Sequence, residues 1–250
     1  VWDGNEVWLV TAAGATFAAF PQWYATMFSG FYIALLLVLV LLIVRVVSFE
    51  WREKVDSDRW QGVWTGANVV ASYGIPLLWG IALTSLLAGV PVGEDKEFTG
   101  NVFDLFSWYS VLGGVAFMAL FAWHGSVFVT LRTTGAMRER AHHLSLRLAP
   151  FSVMLTIAFL VATLWTGVDA NDKGLVGGLV IIPLAVAALL VAWFMAGRRR
   201  EGVAFASTCV AIVLSVTLLF VARFPRVTVS WTDSAWGLTT SHASSSPYTL

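Results

Sequence analysis

The sequence has few charged residues and almost no cysteine. Only 12% of its 250 residues are charged, whereas about a quarter are charged in an ordinary soluble domain. Its single cysteine, Cys209, excludes an internal disulfide. The formal net charge is zero, so no basic surface indicates nucleic-acid binding. Hydrophobic residues make up 58% of the chain, and this balance predicts an integral membrane protein.

Seven apolar segments account for most of the chain. A helix needs about 20 residues to cross about 30 Å of hydrocarbon. Six segments reach that length, and the first does so only if it continues past Pro21 to about Tyr24. No segment shows the period-two alternation of a membrane β-strand. We therefore predict an all-α integral membrane protein, a polytopic transmembrane helix bundle forming one domain over residues 1–250. The predicted spans are 5–24, 28–47, 63–90, 108–131, 148–166, 175–196 and 204–224.

The two ends of the sequence also carry information. The first twenty-one residues lack a basic region, which argues against a secretory signal peptide. Residues 225–250 are predicted to form an outer loop whose Ser-rich end leads into another helix. We expect the numbering to start inside a longer chain.

Basic residues fall in every second loop. Cytoplasmic loops of membrane proteins carry the excess of Lys and Arg, so this alternation predicts the orientation and places Asp3 and Glu6 at the cytoplasmic mouth of the first span. Arg223 and Arg226 depart from the rule on the predicted outer side. With Arg45 assigned to a loop, no span interior holds an Asp, Glu, Lys or Arg. The basic residues of the predicted inner loops are Arg45, Arg52, Lys54, Arg59, Arg132, Arg138, Arg140, Arg147, Arg198, Arg199 and Arg200.

Two acidic residues, Asp3 and Glu6, stand three positions apart at the start of the first span, just after Trp2. This spacing is typical of a capping box, in which the acids satisfy backbone N–H groups and interact favourably with the helix dipole. An ionisable group at a membrane mouth is also a candidate for proton uptake. The two roles are compatible, and the residues leave both open.

Small residues and prolines suggest how the spans pack. Gly14 and Ala18 belong to a set of small residues in the first span, and this set predicts close packing against protein rather than lipid. Pro76 and Pro183 lie within spans, where we expect them to kink the helices. A broken helix at a transporter site would show the same sequence pattern.

Side chains that could bind iron occur singly. Haem iron needs an axial His, Met, Cys or Tyr, and the candidates within spans lie on different segments: His124, Met118, Met154, Met195 and Cys209. We find no phosphate-binding loop, no metal-ligand spacing and no nucleophile with a base. The residues therefore predict no catalytic group, no metal site and no haem bound by this chain. A bundle of this kind indicates a subunit that serves a partner, and the alternative is a stand-alone secondary transporter.

One stretch resembles a known family. WDGNEVWLVTA at residues 2–12, followed by FAAFP at 17–21, closely resembles the signature of subunit II of the cytochrome bd-type quinol oxidases. The likeness continues in the same order along most of the chain. The further matches are FSGFY (28–32), LLAGVP (86–91), FTGN (98–101), LRTTG (131–135) and ASSSPYTL (243–250).

The resemblance implies a heterodimer in the bacterial cytoplasmic membrane that oxidises quinol and reduces dioxygen to water. It implies that haems b and d and the quinol oxidation site belong to subunit I, while subunit II supports that partner. It also implies one further span at each end of the full chain. Trp2 and Asp3 match the family positions at the cytoplasmic mouth of a proton path, and Glu6 stands beside them. A quinone bound in subunit II, as in some members, and small accessory subunits have no residues that we can assign. No functional role can be assigned to His124, Trp79 or Trp123. Trp79 and Trp123 fall near mid-span, where packing is the expected role.

Overall fold

The computed structural model describes the backbone of residues 2–168 and 172–246, and the side chains of residues 7–167 and 174–246. Within these ranges the chain is a helical bundle with one small hairpin. Its helices are α1 (Trp2–Ala19), α2 (Pro21–Gly30), α3 (Tyr32–Trp51), α4 (Asp58–Ala88), α5 (Trp108–Arg132), α6 (Gly135–Val168), α7 (Asp172–Gly197), α8 (Glu201–Arg223) and α9 (Thr240–Ala243). A 3₁₀ turn spans Val102–Leu105, and β1 (Arg226–Thr228) pairs antiparallel with β2 (Leu238–Thr239).

Six helices, α3 to α8, are long and apolar enough to cross a membrane, and the described part of α1 is a shorter apolar helix, Val7–Ala19. This composition confirms the predicted all-α polytopic membrane fold. The longest helix, α6, has 34 residues and measures about 51 Å at 1.5 Å per residue. It therefore extends well beyond the hydrocarbon, whereas the sequence predicted only residues 148–166 of it.

The first predicted span does not run through Pro21. We expected one helix over residues 5–24, but α1 ends at Ala19 and α2 begins at Pro21. Between them Phe20 has φ −136° and ψ 63°, outside the helical region. Proline restricts the residue before it and lacks an N–H, so it favours the first position of a new helix. A second break at Phe31 separates α2 from α3, within the predicted 28–47 span.

The interior prolines do not interrupt their helices. Backbone helix continues through Pro76 in α4, through Pro150 in α6 and through Pro183 in α7. A transporter site built on unwound helices would need a break at such positions. The described α4 and α7 therefore show no unwound segment at Pro76 or Pro183.

The core lies among α4 to α8. Tyr109, Phe117 and Phe159 pack together in it, with Tyr109 and Phe159 rings 5.9 Å apart and Phe117 and Phe159 rings 5.5 Å apart. The hydroxyls of Tyr109 and Thr163 are 2.9 Å apart and join α5 to α6. Trp123 is fully buried in the neighbouring cluster between α5, α6, α7 and α8. Packing was the role expected for this tryptophan.

The predicted outer loop is a structured cap. Val90 N–H donates to Val229 O (2.9 Å) and Val229 N–H donates to Leu86 O (3.0 Å), so the segment after α8 closes over the end of α4. Trp23 Nε1 donates to Thr228 Oγ1 (3.0 Å), which joins α2 to β1. The cap fixes α2, α4 and α8 at one end of the bundle.

Candidate functional site

The predicted proton-uptake residues occupy the first two turns of α1. The backbone of Trp2, Asp3 and Glu6 is helical, whereas their side chains lie outside the described residues. The described side chains closest to them along the helix that line a cavity are Leu9 and Val10. The acidic end of α1 therefore adjoins the cavity that Leu9 and Val10 line.

A cleft of about 690 Å³ opens between α1, α3, α4 and α5. Leu9 and Val10 line it from α1, Trp79 from α4 and Phe121 from α5, while α3 contributes a row of aliphatic side chains. Arg45 is the charged residue of this lining. Trp79, to which the sequence assigned no role, thus forms part of the cleft wall.

Arg45 lies inside a membrane helix and not in a loop. We assigned it to the loop after the second span, but α3 continues to Trp51, so Arg45 lies about 9 Å before the helix end at 1.5 Å per residue. Arginine tolerates this depth because its apolar stem can pack while the guanidinium stays near the interface. The expectation that no span interior holds a charged residue was therefore wrong at this position.

Polar groups join α3 to α4 around Arg45. Asn68 Nδ2 donates to Ser48 Oγ (2.7 Å), and Ser48 Oγ donates to Arg45 O (2.7 Å). Ser72 Oγ lies 3.4 Å from Asn68 Oδ1. Side-chain hydrogen bonds of this type hold membrane helices together, since hydrocarbon offers no competing partner. These bonds hold the backbone of Arg45 against α4, where Arg45 lines the cleft.

A cluster of three tryptophans marks the membrane boundary at this end. The Trp51 and Trp60 rings are stacked with centroids 6.4 Å apart, and the Trp64 ring lies 5.4 Å from Trp51. Trp60 Nε1 donates to Trp51 O (2.6 Å), which fixes the turn between α3 and α4. Tryptophan is enriched at the headgroup level, so the Trp cluster sets the depth of the residues around it.

The basic segments gather at one end of the bundle. Arg138 pairs with Glu201 (2.7 Å), and Arg199 forms two hydrogen bonds with Glu139 (2.6 and 2.9 Å), which join the start of α6 to the α7–α8 loop. The Glu139 carboxylate raises the pKa of the Arg199 guanidinium. This end is opposite the cap. The first basic loop, between α3 and α4, lies at the same end, because it follows the part of α3 that holds Arg45. Leu9 and Val10 of α1 line the same cleft as Arg45, so the start of α1 adjoins this end of the bundle.

Helix α1 makes little contact with the rest of the described chain. Trp8 is 73% exposed, Val7, Val10 and Phe17 are also exposed, and a Cβ on Gly14 would meet no atom within 4 Å. Its hydroxyls are satisfied internally, since Thr11 and Thr16 donate to carbonyls four residues earlier. The close protein packing predicted for the small residues of α1 is not provided by the described part of this chain.

The candidate iron ligands are spread over four helices. His124 and Met118 lie on α5, Met154 faces outward on α6, and Met195 packs against the core from α7. Cys209 is a free, partly buried thiol on α8. Among the described residues no group of three or more His, Cys, Asp or Glu side chains is placed to hold a metal ion.

The comparison with protein families decides what kind of chain this is. A family described as cytochrome bd terminal oxidase subunit II matches residues 1–250. The chain belongs to the cytochrome bd terminal oxidase subunit II family. The resemblance seen in the opening motif therefore extends over the whole sequence.

Members of the subunit II family from several bacteria are similar to it. Cytochrome bd ubiquinol oxidase subunit 2 of Bacillus subtilis (strain 168) is 39% identical over 254 residues, covering 100% of this chain and 73% of that protein. Cytochrome bd-I ubiquinol oxidase subunit 2 of Escherichia coli (strain K12) is 39% identical over 175 residues, with 67% and 45% covered. The probable cytochrome oxidase subunit 2 of Haemophilus influenzae is 40% identical over 168 residues, with 66% and 44% covered. The matches thus span less than half the length of the last two proteins.

Proposed function

We propose that the chain is the haem-free subunit of a bd-type terminal oxidase in a bacterial cytoplasmic membrane. Its partner is a haem-bearing subunit that oxidises quinol and reduces dioxygen to water. The family match over residues 1–250 is the observation that carries this proposal. The unbroken α4 and α7 helices favour it over a secondary transporter.

The cleft between α1, α3, α4 and α5 was tested for side chains that could bind haem iron. Haem iron requires an axial His, Met, Cys or Tyr. The cleft between α1, α3, α4 and α5 offers Arg45, Trp79, Phe121 and aliphatic side chains, and no such ligand is part of its lining. We assign haems b and d to the partner subunit, as the family resemblance implies. No described residue of this chain is assigned to a quinone.

The second part of the proposal gives the start of α1 a role in proton uptake. Asp3 takes up protons from the cytoplasm, with Trp2 and Glu6 beside it. Positions 3, 6 and 10 follow one side of a helix, and Val10 lines the cleft that Arg45 also lines. The acidic mouth thus adjoins the boundary of the membrane at the basic end of the bundle, where protons from water can reach it.

Substitution of Asp3 tests this role in the whole oxidase. Asp3 lies inside the first turn of α1 and not at its N-cap, and Asn has nearly the same shape as Asp, so Asp3→Asn should leave assembly and haem spectrum unchanged. Quinol-driven oxygen consumption should fall by about tenfold or more if proton transfer becomes limiting. Asp3→Glu should retain more activity than Asp3→Asn, because it keeps the ionisable group.

The control is Asp56→Asn, in the exposed loop between α3 and α4 at the same end of the bundle. It should leave oxygen consumption unchanged. Full activity of Asp3→Asn would remove the proton path from the proposal.

A further inference from the structure

The segment after α9 is anchored at the cap end of α1. Helix α9 ends at Ala243, whose side chain is fully buried in a cluster with Phe20 and Trp23, where α1 meets α2. Two residues later, Ser245 N–H donates to the carbonyl of Ala19, the last residue of α1 (3.0 Å). These contacts hold the chain beside the end of α1 just before residues 247–250, which lie outside the described residues.

The residues at this point favour the start of a helix. Ser246 is followed by Pro247, and Ser is common at the N-cap while Pro is favoured at the first helical position. Ser245 Oγ is buried and has no hydrogen-bond partner among the described residues. Buried hydroxyls are normally hydrogen-bonded, so a group from outside the described residues is expected to cover this place. A helix that begins here starts where α1 ends, and it must run antiparallel to α1 if it re-enters the membrane.

The side of α1 that faces away from the bundle consists of small residues. Leu9 and Val10 line the cleft and Ala13 is half-buried, so their side of the helix faces the bundle. A stripe at positions i, i+3, i+4 and i+7 follows another side. We call this stripe of exposed residues the small face of α1: Thr11, Gly14, Ala15 and Ala18. Small residues let the backbone of a second membrane helix approach closely.

We propose that the small face of α1 is covered by the helix of this chain that begins after Ser246, lying antiparallel to α1. Lipid or another subunit could also cover an exposed surface, but this segment is the one that described contacts tie to the end of α1, at Ala19. Segments joined by a short connection usually pack side by side. The helix would then extend along α1 towards its acidic start. The proposal concerns this chain alone, so it does not depend on the assignment to an oxidase.

Disulfide formation within the full-length chain tests this packing in the membrane. Ala15→Cys and Ala18→Cys are each combined with single cysteines along the helix that follows Ser246, after Cys209 and any other cysteine have been replaced by serine. A protease site at Asp56, in the exposed loop between α3 and α4, separates α1 from that helix after cleavage. Because a disulfide needs Cβ atoms within about 4.5 Å, only close pairs keep the two fragments together on a non-reducing gel.

The two positions should select different partners. The best partner of Ala15→Cys should lie about three residues further along the following helix than that of Ala18→Cys, because antiparallel helices advance in opposite directions. Ala13→Cys, at a similar depth but on the side that faces the bundle, is the matched control. Its yield should be about fivefold lower or less, since its Cβ points away from the following helix. Thr11→Cys continues the series if Ala15→Cys does not accumulate in the membrane.

Three results would overturn the packing. Crosslinks from Ala15→Cys and Ala18→Cys to another subunit would show that the partner covers the small face. No crosslink to the following helix would leave the face to lipid or to another part of the chain, and partners that move the opposite way would exclude an antiparallel arrangement. The proposed function fails on a separate observation, namely purification of the unmodified chain without a haem-bearing subunit.

Discussion

The α5–α6 pair and the α1–α3 side of the molecule are packed very differently. In the apolar windows of α5 and α6, 44% of the residues are buried, compared with 17% in α3. In α1 no residue from Val7 to Ala19 is buried. The same apolar composition thus produces an interior in one region and a surface in the other.

Burial in these two regions depends on side-chain shape, because lipid chains are as apolar as leucine and membrane helices associate through close packing and hydrogen bonds. At the crossing of α4 and α5, a Cβ on Gly80 would lie 2.7 Å from Gly114 Cα. On the other side, several Leu and Val side chains of α3 are exposed, and its close fit to α4 is with a side chain rather than backbone, since a Cβ on Gly74 would lie 2.8 Å from Leu41 Cδ1. The α4–α8 core is therefore self-sufficient, and α1 and α3 have surface to offer a partner or lipid.

The largest effect should come from the core. Trp123→Ala removes a fully buried indole between α5, α6, α7 and α8, and such truncations cost about 3–5 kcal/mol. Trp8→Ala removes the same side chain from the exposed face of α1 and should leave the stability of the isolated chain unchanged. The free energy of unfolding in one detergent measures both. Equal losses would show that α1 packs as tightly as the core.

A smaller loss should follow from filling the helix crossing. Gly80→Ala would put a methyl group 2.7 Å from Gly114 Cα, and overpacking of this kind costs about 1–3 kcal/mol. Gly66→Ala, on the same helix but with nothing within 4 Å of its Cβ, should be neutral or slightly stabilising because alanine favours helix. The difference in thermal midpoint between the two variants is the measurement. A neutral Gly80→Ala would mean that α4 and α5 separate easily.

Much of this architecture could be predicted from the sequence, since the length and apolarity of a span follow from the thickness of the membrane. Three features are visible in the sequence without any knowledge of tertiary contacts: the seven apolar segments, the alternation of basic loops and the opening motif. The break at Phe20 could also have been predicted, because Pro21 restricts the residue before it. We instead continued the helix past Pro21 to reach a spanning length.

Other features depend on contacts between distant residues and had no local signal. The pairing of Val90 with Val229 brings together segments 139 positions apart, and nothing near either residue predicts it. Arg45 was assigned by its charge, but the Asn68 and Ser48 contacts that keep α3 helical around it are tertiary. The hydrogen bond between His124 and Thr208 likewise joins two helices, α5 and α8. The first turns of α1 remain a prediction for proton uptake, because the side chains of Trp2, Asp3 and Glu6 lie outside the described residues.

The smallest effects should be those of single hydrogen bonds, and they should be alike in the two regions. Asn68→Leu removes the 2.7 Å bond to Ser48 on the α3 side, together with the long 3.4 Å contacts of Asn68 with Arg45 O and Ser72 Oγ. Ser48 keeps its bond to Arg45 O. Tyr109→Phe removes the contact with Thr163 in the core, and Thr163 keeps its bond to Phe159 O. Ser48 and Thr163 each keep a hydrogen-bond partner, so each substitution should lower the free energy of unfolding by about 0.6 kcal/mol.

Unfolding free energies of the two variants in the same detergent decide between packing and polarity as the source of the difference. Similar small losses mean that hydrogen bonds contribute equally and that shape alone separates the core from the α1–α3 side. A loss of several kcal/mol for Asn68→Leu alone would mean that α3 is held by its polar contacts with α4. In that case the exposed apolar surface of α3 would be compatible with a tightly held helix, and burial would be a poor guide to which part of the subunit depends on its partner.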